Sequence, residues 1–537
     1  MKRCIVVAMA ASAVALVVLT AAARQAPKGE PKTGVNDPSF HRDAITRIAQ
    51  GQGGEVIDQL QALGDEGQYR LETLYTLAVA CAHEKDVAKA MDYARKAVAA
   101  GLPIDRFVAG PRDLLAPLTG SAEFQALLHE HPLVLVHGPM LGAVTDSAAR
   151  IWVRTPAEAA VRVAVSASPD MKNPIAPPEA KTSRDADFTA VVEVGGLRPA
   201  TTYYYSVSVD GRGALEKPAA FQTFPKVGSP ARFQVAFGGG ANYAPNNERM
   251  WDVILKRRPA ALLMLGDNVY IDTPQVPATQ QYCYYRRQSR PEWRRLVSAT
   301  PVFAIYDDHD FFANDCVPGP DIDKPPYKRP VWRLFCENWA NPSYGGGEKQ
   351  PGCWFNFRIG DVDFFMLDCR FYRDLASRPP TMLGPVQKRL FLEALKQSRA
   401  TFRVLASSVP WAKGTKPGSK DTWDGFEEER EEIFKFLESN GIGGVVLISA
   451  DRHRSDVWRV PRPGYTLFEF ESSKLTNLHT HPPVEGCEFS YNKTCSVEFL
   501  EFDTTAADPT VTCRIVTIDD ETVHTFTVKR SQLAPAK

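Results

Sequence analysis

Neither sign of charge predominates in this chain: 63 lysines and arginines stand against 63 aspartates and glutamates. A neutral chain has no electrostatic footprint for wrapping a polyanion, so nucleic acid is not an expected partner. No Cys-x-x-Cys spacing occurs, which argues against a structural zinc site. Long apolar runs are missing beyond the N-terminus, so no membrane span is expected after it. The N-terminal run, Ile5 to Leu19, follows a basic start and precedes Ala21, Ala22 and Ala23. That order reads as an export signal over 1–23, cleaved near Ala23. There is no Arg-Arg pair for a twin-arginine route, and Cys4 lies ahead of the apolar run, so a lipobox fails. A periplasmic or secreted location is expected. Nine cysteines follow the cleavage point, and an oxidising compartment would pair some of them. Cys487 and Cys495 bracket a polar loop and are the first choice; an odd count leaves at least one thiol unpaired.

At 537 residues, several domains are expected. Residues 24–37, rich in Pro, Lys and Gly, read as a linker. Over 38–132 the apolar spacing is helical. Ala78, Ala90 and Ala97 stand at the offsets where two helices of a tetratricopeptide repeat cross closely. Such a region offers a surface for a protein partner. No catalytic motif lies in it, so whatever activity the rest of the chain has is expected to survive its deletion. Over 133–225, "ARIWVRT", "VRVAVSAS", "FTAVVEV" and "TYYYSVSVDG" alternate apolar and polar residues, as strands of a small β-sandwich do. "LRPATTYYYSV" is similar to the tyrosine corner of fibronectin type III domains, where a tyrosine hydroxyl bonds to nearby backbone. From 231 to 530 apolar strands alternate with helical stretches, which argues for a layered α/β domain with function at the carboxyl ends of its strands.

Those strand ends carry the chemistry. "ALLML" is followed by Gly266-Asp267-Asn268-Val269-Tyr270, and "VFAIY" by Asp307-Asp308-His309-Asp310 and then Asn314-Asp315. "DFFML" is followed by Asp368-Cys369-Arg370, and "VVLIS" by Ala450-Asp451-Arg452-His453. One aspartate after one strand usually caps a helix. Several such ends, two with a histidine, are harder to explain so. Carboxylates facing one another either take up protons or bind cations. Carboxylate, phenolate and amide oxygens with one or two imidazoles suit iron(III), manganese or calcium. Two adjacent metals are the standard device for phosphoester hydrolysis.

Together "GDNVY", "YDDHDFFAND", "LDCRFYR", "LGPVQKRLFLEAL", "SADRH" and "FEFESSKLTN" resemble the PhoD-like, alkaline phosphatase D type, metallophosphatases. The resemblance spans roughly residues 133 to 525. It implies a multi-domain α+β fold. The catalytic part would have two mixed sheets flanked by helices, related to purple acid phosphatases and calcineurin-like phosphoesterases. It implies two or more metal ions, iron and/or calcium or manganese, and a phosphoester substrate, monoester or diester, attacked by a metal-bound hydroxide. The metal ligands implied are Asp267 as bridge, Tyr270, Asp308, Asn314, Asp451 and His453. The catalytic residues implied are His309 at the substrate, on the leaving oxygen or a phosphate oxygen, and Arg370 on the phosphate oxygens.

One departure stands out. The family commonly places an iron-binding cysteine after its first strand, and here that place holds Gly240. Loss of a thiolate weakens the case for iron(III), and Asn242 or water would fill the position. His479 and His481 in "TNLHTHPP" read first as a polar surface loop; the other reading puts one of them in the pocket, on phosphate or metal. They are not counted as ligands. The competing function is an extracellular binding or scaffold protein with an inactive phosphatase-like domain, against which the intact ligand set argues.

Overall fold

A computed structural model describes residues 37–64 and 66–535. The expected export signal, and all of the expected linker but Asp37, lie outside the described residues. Among the described residues no helix is long and apolar enough to cross a membrane.

Two large sheets form the main body. In a nine-stranded sheet, Arg232–Gly238, Ala261–Leu265 and Val302–Ile305 are parallel neighbours. In a seven-stranded sheet, Val362–Met366, Phe402–Ala406, Val445–Ser449 and Tyr465–Ser472 are parallel neighbours. These strands read as nearly continuous apolar runs because both of their faces are covered. Alternation sends Phe364, Val404, Val446 and Phe470 to the core between the sheets, while Phe365, Leu405, Leu447 and Leu467 face outward. The outward set packs under Gly384–Gln397 and Glu427–Ser439 through Phe391, Leu395, Ile433 and Leu437. Aromatic pairs stitch the two sheets together, among them Phe303 on Phe357 at 4.0 Å and Phe402 on Phe502 at 5.6 Å between ring centroids. A layered α/β body is what the strand pattern predicted, and two mixed sheets flanked by helices are what the family resemblance implied.

The segment 133–225 does have two sheets, but one of them is not its own. His137–Gly142, Ala148–Arg154 and Thr189–Gly195 extend the nine-stranded sheet, entered by parallel pairing of Gly142 with Val302. The buried edge of Val302–Ile305 is closed jointly by this pairing and by the Asn341 side chain, which bonds the Ala304 N–H and carbonyl at 2.9 and 2.8 Å. Ala160–Ser166 and Thr202–Val209 centre the second, smaller sheet. The predicted corner is present, with the Arg198 backbone N–H donating to the Tyr203 hydroxyl at 2.9 Å.

Helices Arg70–His83 and Val87–Ala99 form the expected close pair, with Ala78, Ala90 and Ala97 wholly buried and Asp86 capping the second. The contacts of this region speak against its being dispensable. Its helices are bound to Pro277–Gln288 of the main body by buried polar and aromatic contacts. Tyr282 donates to Glu72 at 2.6 Å, and Glu72 is paired with Arg106 at 2.9 Å. Tyr75 stacks on Tyr282, and Thr46 meets Thr279 at 2.7 Å. Removing the helices would leave these groups unpaired and exposed.

The cysteine pairing is corrected as well. All nine cysteines among the described residues are unpaired. The loop between Cys487 and Cys495 carries the strand Phe489–Tyr491, which pairs with Ser455–Arg462. The Cys495 thiol is buried and donates to the Asn477 carbonyl at 3.4 Å instead.

Candidate functional site

The parallel strands of both sheets end on one cavity of about 430 Å³. Asp267, Tyr270, His309, Asn314, Asp451 and His453 all line it, brought from three strand ends of the two sheets. The chain turns sharply to do this. Asp267, Asp451 and His453 stand at φ of 53°, 78° and 50°, a left-handed backbone that costs on the order of 1–3 kcal/mol per residue. Gly266 precedes Asp267 at φ 104°, and a Cβ there would lie 2.5 Å from that of Asp307, so only glycine lets the two strand ends approach.

At the centre, Tyr270 donates its hydroxyl to Asp267 Oδ2 at 2.8 Å and lies 3.2 Å from His453 Nε2. Asn477 donates to the same hydroxyl at 2.9 Å. Asp267 Oδ1 and His453 Nδ1 are buried without hydrogen-bond partners. One ligand atom each from Asp267, Asp308 and His309 lies within 4.8 Å of the others, and so does one each from Asp307, Asp308 and Asp451. Burial pushes the Asp267 carboxyl up to about 6, with Asp307 and Asp451 adding to the rise. Burial likewise pushes Asp308 up to about 7. Without a cation these acids titrate close to neutrality; a cation would keep them ionised. Burial also lowers His453 to about 3, leaving a neutral imidazole with a lone pair to give. Orphaned carboxylate oxygen, orphaned imidazole nitrogen and crowded acids together fit a hard or borderline metal ion.

The opening of "DDHD" divides its labour. Asp310 accepts from the backbone N–H groups of Asp307, Asn268 and Val269 and so holds two strand ends together. Asp307 bonds Arg370 and accepts from Ser408 at 2.7 Å, leaving Oδ2 without a partner. Asp308 accepts from the Asp315 N–H at 2.6 Å. His309 stacks on the Tyr270 ring at 4.4 Å, and its Nδ1 bonds Asp272. Burial opposes a charge on His309, but Asp272, Asp308 and Asp267 outweigh it and raise the imidazole well above its ordinary value.

Arg370 is elsewhere than expected. It is fully buried, bonded to Asp307 and, at 2.6 Å, to Asp421, and it does not line the cavity. Its guanidinium neutralises the acids behind the site. Two other cations do reach the cavity: Lys416, 2.6 Å from Asp315, and Arg452, whose Nε is buried without a partner. Arg452 was visible inside "SADRH", but its neighbours drew the attention; Lys416 sits in a long loop after Phe402–Ala406 with no motif to mark it. Asn477, His479 and His481 also line the cavity, so the pocket reading of the two histidines is the one the geometry supports. The N-terminal helices contribute too. Asp37, Pro38 and Ser39 form part of the wall. Arg42 bonds Asp272, the partner of His309, and donates to the Tyr270 carbonyl at 3.3 Å.

Comparison with known proteins gives a consistent picture. A family model described as PhoD-like phosphatase matches residues 235–511, and a domain of unknown function (DUF7800) matches 133–227. Alkaline phosphatase D of Bacillus subtilis is 25% identical over 313 residues, 49% of this chain and 53% of that protein. Purple acid phosphatase 15 of Arabidopsis thaliana is 22% identical over 33% of this chain and 34% of its own length. The chain thus spans about half the length, or less, of these curated relatives. Among solved structures, one titled "Structure of PhoD" superposes with a TM-score of 0.62 at 18% identity, covering 74% of this chain and 90% of that one. A purple acid phosphatase from yellow lupin superposes at 0.54 and 11% identity, covering 75% of this chain and 77% of that one. At these identities the superpositions speak for the fold alone.

Proposed function

The chain belongs to the PhoD-like phosphatase family, and we propose that it is an exported, metal-dependent phosphoester hydrolase acting on phosphomonoesters or phosphodiesters. The observation that carries this reading is the convergence of Asp267, Tyr270, Asp451 and His453 on one cavity with Asp267 Oδ1 and His453 Nδ1 buried and unpartnered. In this reading Asp267 would serve both ions, and Tyr270, Asp308, Asn314, Asp451 and His453 would be their other ligands. When bound, such a pair supplies Lewis-acid polarisation of the phosphate and a nucleophile at neutral pH. The rest is the work of this chain. His309, held by Asp272, gives a proton to the leaving oxygen. Arg452 and Lys416 take the phosphate oxygens, the role first expected of Arg370. Arg370 acts from behind, pinning Asp307 so that the crowded acids keep their places. Export rests on the signal-like order of residues 1–23.

The test is direct. Purified protein, supplied with iron, manganese, calcium or zinc, is assayed on aryl phosphate monoesters and diesters, and Asp267→Asn is compared for turnover and metal content. The reading expects both to fall in the variant, because a neutral amide cannot balance two cations. Metal-loaded wild type inert on every ester would favour the binding-protein alternative.

A further inference from the structure

His479 and His481 lie on the loop that follows Tyr465–Ser472, two residues apart, and both rings reach back to His453. Ring centroids are 5.1 Å apart for His453 and His479, 5.5 Å for His453 and His481, and 4.6 Å for His479 and His481. A zinc ion bonded tetrahedrally to three imidazoles at about 2.0–2.1 Å sets the ring centroids roughly 5 Å apart. One nitrogen from each ring lies within 4.8 Å of the other two. The loop is held in place for this: Thr480 donates to the His453 carbonyl at 3.2 Å, and Asn492 donates to the His481 carbonyl at 2.9 Å. His453 is buried, and its Nδ1 has no hydrogen-bond partner. On the same side of the cavity, Gly240 offers no donor: it stands at φ 66°, and a Cβ there would sit 3.5 Å from His453 Cδ2 and 2.7 Å from Ser473 Oγ.

We propose that His479 and His481 join His453 as ligands of a divalent zinc-type ion at this corner of the cavity. The proposal rests on the metal reading above and deepens it: the ion at His453 is held by an imidazole face. Three neutral nitrogens favour a divalent borderline ion over iron(III) at this corner. The histidine loop is therefore part of the metal centre rather than of the surface.

Untagged full-length protein is stripped with chelator, reloaded with zinc, and its metal counted per chain; cobalt(II) in place of zinc reports the ligands by its visible absorption. The His479→Ala/His481→Ala double variant is expected to lose one ion per chain and the cobalt band of a nitrogen-rich site. His479→Ala alone, at an exposed position, is expected to weaken zinc binding by about 10-fold or more and shift the band, and it keeps the test open if the double variant fails to fold. Asp267→Asn is measured in parallel. If the double variant keeps the wild-type count and cobalt spectrum, or, should it not fold, if His479→Ala alone does, the proposal is overturned, whatever Asp267→Asn does. If only Asp267→Asn keeps the wild-type count, the paired-ion reading fails and the imidazole site stands.

Discussion

At the scale of single residues, His309 and its partner carry the clearest expectation. The imidazole is fixed by stacking on Tyr270 and by the Asp272 carboxylate. His309→Ala should lower kcat by roughly 10²–10⁴-fold, the ordinary worth of a positioned general acid, while metal content stays at the wild-type level. Elemental analysis beside steady-state kinetics reads both quantities. Loss of metal would make His309 a ligand instead. Neighbouring Asp310 has a different fate: with four donors on its carboxylate it is structural, and its proximity to Asp308 in the sequence says nothing of its role.

Elements impose their own constraints. The turn after Ala261–Leu265 must pass within contact of the turn after Val302–Ile305, and Gly266 is what allows it. Gly266→Ala forces a methyl group into the Asp307 Cβ and backbone N, 2.5 and 2.8 Å from where its Cβ would lie, at a left-handed φ. It should destabilise the fold by at least ~1–3 kcal/mol and displace Asp267, so thermal melting and metal content fall together. The helix Phe40–Ala49 is a second case. It carries Arg42 into the Asp272–His309 pair from outside the catalytic body. Arg42→Ala should lower kcat by about 10–100-fold with KM little changed, as loss of a supporting partner does elsewhere, and Arg42→Lys should restore part of it. A variant with full kcat would show that Asp272 holds His309 unaided.

For the molecule as a whole, the seam between the helices and the catalytic body decides stability. Deleting residues 38–131 would strip Glu72 from Tyr282, take away a charge that acts on Arg286, and open the cavity wall at Pro38 and Ser39. The product should be insoluble or inactive on small esters; a soluble, active fragment would show the seam to be incidental. His41, wholly buried in that seam beside Thr73, gives it a pH dependence. Burial lowers its imidazole from 6.5 to about 4. The folded form therefore holds fewer protons than the unfolded chain between those values, and stability falls as pH drops through that window. From pH 7 to pH 5 the wild type should lose ~2 kcal/mol more than His41→Gln, measured by denaturant unfolding of both at each pH.

Much of this protein was determined by its sequence alone. Apolar runs ending in aspartate and histidine mark strands buried on both faces whose carboxyl ends carry chemistry, and small residues at Ala78, Ala90 and Ala97 mark a close helix pair, because both signals are local and periodic. Asp267, Tyr270, Asp451 and His453 were legible as candidates for that reason, each sitting within a few residues of the end of an apolar strand, with Asn314 beyond a turn of helix and the ligand roles supplied by the family resemblance. Only the tertiary structure decided what distant segments do to one another. Arg370 looks like a phosphate ligand until Asp421, 51 residues away, takes its guanidinium. Lys416 looks like loop polarity until the loop folds over the cavity. Arg42 lies 230 residues from the aspartate it holds, in a region with no motif of its own. A charge or a histidine acquires its role from the partners that surround it, and those partners are set by which strand and helix ends the fold brings together, which no local pattern encodes.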